Sequence, residues 1–329
     1  MKKLINHVDT VLGESLQGFA AAHADIVTLD PGLQFVRRRT LKTGKVALIS
    51  GGGSGHEPLH TGFIGHGMLD AACPGQVFTS PTPDQMLAAA QEVDTGAGVL
   101  FIVKNYSGDM MNFQMAAEML DRENATVIIN DDVAVENSTY TTGRRGVAGT
   151  LLVERIVGAA AERGDSLAEL KALGDAVNKS TASMGVALTS CTVPAAGQPT
   201  FQIATDEMEM GVGIHGEPGR RRVKFTNADD IAAELTGAVL RDLGLRHGQE
   251  VILLINGFGG TPLMELYVMV NAANKLLAEA GVKAVRTLTG SYVTSLEMAG
   301  CSITVSIADA PTLALWDAPV HTAALRWGM

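Results

Sequence analysis

Cysteine is scarce in this chain of 329 residues. Its three cysteines, Cys73, Cys191 and Cys301, are odd in number and far apart, and none forms a Cys-x-x-Cys pair. Such spacing implies neither a zinc ribbon nor a disulfide framework. The prediction that follows is a cytoplasmic protein with buried, reduced thiols.

The chain also lacks an excess of basic residues. Its formal net charge is −10, and charged residues make up 18% of it against 46% hydrophobic residues. A nucleic-acid-binding surface needs clustered lysine and arginine, so that class of protein is excluded. The balance instead predicts a globular protein with a large core, and the length predicts one large or two medium domains.

Long hydrophobic runs are missing as well. No apolar stretch approaches the ~18 residues that a membrane span requires, so we expect none. The segment from Met1 to His7 begins with two lysines but has no continuous apolar core after them. We therefore do not expect a signal peptide.

What the chain does have is a glycine-rich segment after a predicted strand. Val46 to Ile49 are apolar, and glycines occupy positions 51, 52, 53 and 55, followed by His56 and Glu57. Glycine lets a ligand approach the main chain, and ligands of open α/β sheets lie at the carboxyl ends of the strands. A simple turn is the alternative. The segment matches neither a Walker A loop nor a dinucleotide fingerprint.

Strands and helices alternate along the rest of the chain, which predicts an α/β fold with mostly parallel or mixed sheets. Strands at 99–103 and 126–130 bring three strand ends together in this prediction, at 51–56, 104–109 and 130–132. A second α/β unit begins near residue 183. It has helices at 228–243 and 262–280, and short strands from 302 to 315. The predicted domains are 1–183 and 184–329, the first with the glycine segment and the acid–base residues.

Lys104 and Asp109 are candidates for chemistry, because they lie five residues apart at a predicted strand end. A lysine there could neutralise an oxyanion or phosphate, and an aspartate could take a proton from a hydroxyl. The alternative is a surface loop in which Asp109 caps the following helix.

His215 is a second candidate, because it lies in a glycine frame from Gly211 to Gly219. An unprotonated imidazole can attack a carbonyl group. A metal ligand is the rival interpretation, but His56, His60 and His66 do not supply partners at ligand spacing, so no metal is expected. The loop from Gly257 to Thr261 precedes a predicted helix, and it could bind an anion or shape the packing.

Four motifs together resemble the substrate-binding subunit of dihydroxyacetone kinase. They are Ser50 to Pro58, Lys104 to Asp109, Gly143 to Gly146 and Gly213 to Gly219, and the closing residues Leu315 to Pro319 also fit. The resemblance covers essentially the whole chain in order. It implies two α/β domains with the ketone held between them. The second domain, 184–329, would carry the substrate-binding histidine. It also implies a homodimer.

The resemblance also implies residue roles. His215 would form a covalent hemiaminal with dihydroxyacetone, while Gly53, His56, Lys104 and Asp109 would surround its hydroxyl groups. Asp109 would be the base on the hydroxyl that is phosphorylated, with His56 as its polar neighbour. One departure is that residues 220–224 lead quickly to Asp229, whereas some relatives have an extra segment there.

The phosphoryl donor is expected in trans. The sequence has no kinase-type glycine loop, and it stops at Met329, soon after the closing motif, where single-chain relatives continue into a nucleotide domain. No cofactor is therefore expected on this chain, and ADP with Mg²⁺ is expected on a nucleotide-binding kinase subunit. That subunit would be recharged by a phosphoprotein of the sugar phosphotransferase system or by ATP. Four-carbon ketoses as substrates, or a ketone-sensing role as coactivator of a transcription regulator, remain alternatives.

Overall fold

The computed structural model describes residues 2–134, 143–217 and 219–329. It divides into two compact units that alternate along the chain. The first unit comprises Met1–Ile129, Val153–Ala176 and Ala314–Met329, and the second comprises Asn130–Leu152 and Val177–Leu313. A single cut at residue 183 is a simpler division than this one, and it stays a prediction about the domains.

Helices and strands alternate through both units, as the sequence predicts. The helices of the described residues are α1 Val11–Ala22, α2 Pro83–Val93, α3 Ser107–Met119, α4 Gly149–Arg163, α5 Leu167–Lys179, α6 Ala228–Leu243, α7 Leu263–Glu279 and α8 Ala310–Asp317. The strands are β1 Val27–Leu29, β2 Val36–Arg38, β3 Ala47–Ser54, β4 Gly65–His66, β5 Ala71–Val77, β6 Val99–Lys104, β7 Asn124–Ile129, β8 Thr181–Ala187, β9 Glu207–Met210, β10 Arg221–Lys224, β11 Glu250–Gly257, β12 Lys283–Gly290, β13 Gly300–Ile307, β14 Val320–Thr322 and β15 Arg326–Trp327.

The sheet of the first unit has the strand order β1-β2-β5-β3-β6-β7. β5, β3, β6 and β7 are parallel, and β1 and β2 are antiparallel at one edge. Ile49, Phe101 and Phe113 are buried in one apolar cluster with α2 and α3. This arrangement confirms the predicted parallel pattern, and it places the carboxyl ends of β3 and β6 side by side.

The predicted strand does not end at Ile49, because β3 continues through Gly51, Gly52 and Gly53 to Ser54. Its backbone pairs in parallel with β5 from Ile49 to Ser54. A Cβ atom at Gly51 would lie 2.5 Å from the carbonyl oxygen of Cys73, and one at Gly53 would lie 2.6 Å from the amide nitrogen of Thr79. The glycines therefore serve a close approach between backbones, which propensity alone does not reveal.

The sheet of the second unit is mixed, with the order β10-β9-β8-β13-β11-β12. β11 and β12 are parallel, and the other neighbours are antiparallel. The expectation of short strands from 302 to 315 is wrong in its second half, because α8 occupies that stretch. Asp309 accepts a hydrogen bond from the amide of Thr312 at 2.9 Å, which is how an N-terminal cap starts a helix.

The closing segment of the chain joins the first unit through a buried arginine. Arg155 on α4 donates hydrogen bonds to the carbonyl oxygens of Gly67 at 3.1 Å and Trp316 at 2.9 Å. Its guanidinium also lies over the ring of Trp327, 5.2 Å from the centroid. The motif that ends in Pro319 thus has a packing role in the first unit.

Membrane crossing is not supported by the described part of the chain. None of its helices combines the length and the hydrophobicity that a membrane span requires.

Candidate active-site residues

Lys104 and Asp109 lie side by side at the carboxyl end of β6. The strand ends at Lys104, and α3 begins three residues later, so Asp109 lies in the first turn of that helix. The ammonium nitrogen of Lys104 is 3.7 Å from Oδ2 of Asp109 and 3.1 Å from the carbonyl oxygen of Gly51, to which it donates. Ser80 donates a hydrogen bond to Oδ1 of Asp109 at 2.5 Å.

Both side chains are buried, so the surface-loop interpretation is wrong. Asp109 is not the cap of α3 either, because Tyr106 occupies that position. Burial raises the pKa of Asp109, although the charge of Lys104 and the hydrogen bond from Ser80 oppose the rise. A carboxylate with a raised pKa is a stronger base than a free one. The geometry is therefore compatible with proton abstraction.

The glycines of β3 bring the backbone close to this pair. A Cβ atom at Gly52 would collide with the ammonium of Lys104 and lie 3.3 Å from Oδ2 of Asp109. Its φ of 155° also disfavours a side chain. A cavity of about 390 Å³ in the first unit is bordered by Gly52, Gly53 and Glu57. Glycine at position 52 therefore leaves room for the polar groups of Lys104 and Asp109 beside the main chain of β3.

His56 is buried at the end of the same segment. Its ring stacks on Phe78, with centroids 5.1 Å apart and an angle of 19° between the planes. The segment also carries Glu57, whose carboxylate accepts two hydrogen bonds from the amide of Gly55, at 3.0 and 3.1 Å. Both side chains are held in place by local packing.

Sequence reasoning missed two buried residues behind Lys104. The ammonium of Lys104 lies 2.8 Å from Nε2 of His60, and Nδ1 of His60 lies 2.7 Å from Oε1 of Glu154. His60 was considered only as a metal ligand, and Glu154 carries no motif that distinguishes it on its helix. Their grouping depends on α4 packing within the first unit, 50 residues after Lys104 in the chain.

His215 belongs to the second unit and lies half-buried in its glycine frame. Its backbone amide donates to Oε2 of Glu217 at 2.9 Å. A Cβ atom at Gly213 would collide with the carboxylate of Glu217, and one at Gly216 would lie 2.5 Å from the hydroxyl of Thr200. The glycines therefore shape the backbone that carries the imidazole. Pro218 of this motif lies outside the described residues.

A buried ionic network holds the same loop. Arg145 donates from Nε to Asp132 at 2.7 Å, from one terminal nitrogen to Glu217 at 3.2 Å, and from the other to the carbonyl oxygen of Gly211 at 2.8 Å. Arg145 is completely buried. Its place in the Gly143 to Gly146 motif was noted from the sequence, but its contact with the histidine loop was not foreseen.

The third expected strand end has a structural role. Residues 130–132 belong to the second unit, where Asp131 accepts hydrogen bonds from the amides of Val147 at 2.8 Å and Gly149 at 2.7 Å. Burial raises the pKa of Asp131 to about 6, and the hydrogen bonds oppose this rise. These hydrogen bonds link the start of α4 to the segment at 130–132.

Two further sequence features can be placed. Within the described residues, no group of three or more His, Cys, Asp or Glu side chains is arranged to hold a metal ion. The hydroxyl of Thr261 donates to the carbonyl oxygen of Gly300 and accepts from its amide, both at 2.7 Å. These bonds favour the packing interpretation of the Gly257 to Thr261 loop.

A family model describes nearly the whole chain. The Dak1 domain matches residues 17–324, and the chain belongs to this family. It is 50% identical, over 100% of both chains, to the dihydroxyacetone-binding subunit DhaK of the PEP-dependent dihydroxyacetone kinase of Escherichia coli strain K12.

Solved structures agree with the family. The dihydroxyacetone kinase operon co-activator Dha-DhaQ is 34% identical, with a TM-score of 0.89 over 94% of this chain and 96% of that one. The dihydroxyacetone kinase of C. freundii in its native form is also 34% identical, with a TM-score of 0.86. That match covers 99% of this chain and 60% of the longer protein.

Replacing Arg145 by methionine should destabilise the second unit strongly. The change leaves the buried carboxylates Asp132 and Glu217 without their cation, and breaking such a pair costs about 3–5 kcal/mol. Arg144→Met is a matched control, because Arg144 is partly exposed and pairs with Asp242, so its loss costs about 0–1 kcal/mol. Urea unfolding of both variants measures the difference, and equal midpoints would contradict the assigned role of Arg145.

Proposed function

We propose that the chain is the dihydroxyacetone-binding subunit of a dihydroxyacetone kinase and that another subunit carries the phosphoryl donor. The observation that carries the proposal is the 50% identity, over the full length of both chains, to a subunit of that name. The product of the reaction would be dihydroxyacetone phosphate. The proposal explains why polar groups that fit a small polyhydroxy ketone are gathered around glycine backbones.

His215 is the residue that we propose to bind the ketone covalently. A ring nitrogen without a proton attacks the carbonyl carbon, and a carbon–nitrogen bond forms as the carbon–oxygen π bond breaks. The carbonyl oxygen takes a proton and becomes a hydroxyl, while the other ring nitrogen gives up its proton. The result is a neutral hemiaminal, which holds the whole mass of the ketone. The glycine frame supports this role, because it leaves the imidazole approachable.

Dihydroxyacetone labelled with ¹³C at its carbonyl carbon tests this bond. On mixing with the chain, the carbonyl resonance should move to the tetrahedral region. His215→Asn, which keeps a polar side chain but has no nucleophilic nitrogen, should abolish that change. Glycerol offers no carbonyl and should not compete for the site. Binding of glycerol as tight as that of dihydroxyacetone would contradict a covalent mode.

Asp109 is the proposed base. It would take the proton of the substrate hydroxyl as that oxygen attacks the phosphorus atom, while Lys104 compensates the carboxylate charge. Gly53 and Lys104 are proposed to bind the ketone's oxygen atoms, and His56 to act as a polar neighbour of Asp109. The burial of the Lys104–Asp109 pair supports these roles, because charge interactions are stronger where water is excluded.

Asp109→Asn should slow phosphoryl transfer while the His215 adduct still forms. The amide keeps the shape of the carboxylate but accepts no proton, and general-base help is worth roughly 10²–10⁴-fold. Transfer rates at saturating ketone, together with the ¹³C signal of the adduct, separate the two steps. An unchanged rate would refute the role of base, and loss of the adduct in a folded variant would make Asp109 a binding residue.

The phosphoryl donor is proposed to be a nucleotide-binding subunit that holds ADP and Mg²⁺. Kinases that use ATP directly need a cradle for the phosphates and carboxylates for Mg²⁺. The sequence offers neither a Walker A loop nor a kinase-type glycine loop. Recharging by a phosphoprotein of the phosphotransferase system fits the PEP dependence in the name of the Escherichia coli subunit.

The purified chain with Mg-ATP and dihydroxyacetone should therefore form no product. Product should appear only after the nucleotide-binding subunit is added, together with the phosphotransferase proteins and phosphoenolpyruvate. Omitting phosphoenolpyruvate while supplying ATP distinguishes the two donors. Turnover by the chain alone would contradict a donor in trans.

A ketone-sensing role beside a transcription regulator is the second candidate, supported by the similarity to the operon co-activator. Its lower identity, 34% against 50%, favours the kinase subunit.

Discrimination between dihydroxyacetone and a four-carbon ketose in the ¹³C assay would decide the substrate. The homodimer and the cytoplasmic location stay predictions.

A further inference from the structure

Lys104 is surrounded by acceptors that match an ammonium group. Its nitrogen lies 3.1 Å from the carbonyl oxygen of Gly51, 2.8 Å from Nε2 of His60 and 3.7 Å from Oδ2 of Asp109. An ammonium has three N–H bonds, one for each acceptor, whereas a neutral amine has two and a lone pair. The charged form can donate towards all three groups, so the geometry favours it, even though the side chain is completely buried.

The ammonium in turn fixes the protonation of His60. Because Lys104 can only donate, Nε2 of His60 must accept and carries no proton. The neutral ring then has its proton on Nδ1, which faces Oε1 of Glu154 at 2.7 Å. Burial, with the charge of Lys104, lowers the pKa of His60 well below its usual value, so the ring stays neutral.

Ser50 completes the surroundings of the ring. Its hydroxyl donates to the carbonyl oxygen of Ile102 at 2.7 Å and lies 3.0 Å from Nδ1 of His60. Because its proton is used by Ile102, Ser50 offers Nδ1 an acceptor as well. The Nδ1–H tautomer is thus favoured by two neighbours on one side and by Lys104 on the other.

Glu154 is the far end of this chain of contacts. It is completely buried on α4, and its Oε2 atom has no hydrogen-bond partner among the described residues. Burial raises the pKa of Glu154 to about 8, and the charge of Lys104 opposes this rise. An unpartnered buried oxygen suits the protonated acid, because an isolated charge there is costly. Glu154 therefore gains its charge on the alkaline side of neutrality.

We propose that Glu154 and His60 are positioning residues that hold Lys104 as an ammonium beside Asp109, through the contacts from Oε1 of Glu154 to Nδ1 of His60 and from Nε2 of His60 to Lys104. The importance of the ammonium for the reaction rests on the proposed function. His60 acts directly on Lys104, because its fixed tautomer presents the lone pair of Nε2 to the ammonium. Glu154 supplies a negative charge when it ionises.

The ammonium of Lys104 needs such support because the side chain is buried. Burial lowers the pKa of Lys104, and the charges of Asp109 and Glu154 oppose that fall. The titratable groups around it are Asp109 on α3, Glu154 on α4, and His60 and His56 on the segment after β3. If Lys104 lost its proton, Asp109 would be left as a buried carboxylate without a cation, and its proton affinity would rise. A second carboxylate that ionises as the pH rises delays that loss.

Glu154→Gln tests the proposal, because an amide has the shape of the protonated acid but never ionises. Below the pKa of Glu154 the variant should match the wild type. Above it, the Lys104 ammonium loses a stabilising charge, so its pKa should fall by about one unit or more, the scale of strongly coupled groups. The alkaline limb of phosphoryl transfer should move to lower pH by the same amount, while the acid limb stays in place.

The direct readout is the titration of Lys104 by NMR in the full chain with ¹³C-labelled lysine, assigned through Lys104→Arg. Glu162→Gln is the matched control, because Glu162 lies on the same helix but pairs with Arg38 and Lys42. The control should leave the Lys104 titration and the pH profile unchanged, whatever it does to stability. A folded Glu154→Gln protein with an unchanged Lys104 pKa would overturn the proposal.

The wild-type protein provides a test that needs no variant, should Glu154→Gln fail to fold. The carboxyl carbon of Glu154 should titrate near 8, and the Lys104 signal should respond in the same pH range. A Lys104 signal that ignores the ionisation of Glu154 would overturn the proposal. These titrations use no ketone, so they decide the inference even if the chain neither binds dihydroxyacetone nor supports transfer, which would be a failure of the proposed function alone.

Discussion

The burial of charge beside glycine backbone is the constraint on which the candidate site depends. Lys104 and Asp109 are both enclosed, and an isolated buried charge is costly unless it is paired and hydrogen-bonded. Each therefore needs partners from elsewhere in the first unit. Ser80 supplies one for Asp109, and Gly51 and His60 supply two for Lys104.

The second unit meets the same constraint with other residues. Arg145 is enclosed with Asp132 and Glu217, and Glu217 also accepts from the backbone of His215. A buried ion pair of this kind contributes little net stability, because desolvation offsets its attraction. Its value is geometric, since a loop rich in glycine has few side chains to fix it. The network bonds to the loop at Gly211 and Glu217, on both sides of the imidazole of His215.

The sequence predicted the parts of this structure that depend on local pattern. The apolar runs of β3 and β6 and the residues Lys104 and Asp109 follow from periodicity and from the ends of predicted strands. His60 and Glu154 could not be found this way, because 94 residues separate them and only tertiary packing joins them.

The predicted end of β3 at Ile49 is wrong for the same reason, because the true end depends on tertiary packing. The apolar run predicts a strand that ends at Ile49, yet β3 continues through Gly51, Gly52 and Gly53, where the neighbouring atoms leave no room for side chains. A side chain at Gly52 would collide with the ammonium of Lys104, so glycine there leaves the space from which Lys104 donates to the carbonyl oxygen of Gly51. A strand, rather than a mobile loop, then carries one of the acceptors that keep the lysine charged. Rigid backbone is the better support for a buried ion pair, because the attraction between the charges weakens as they separate while the cost of burying them stays.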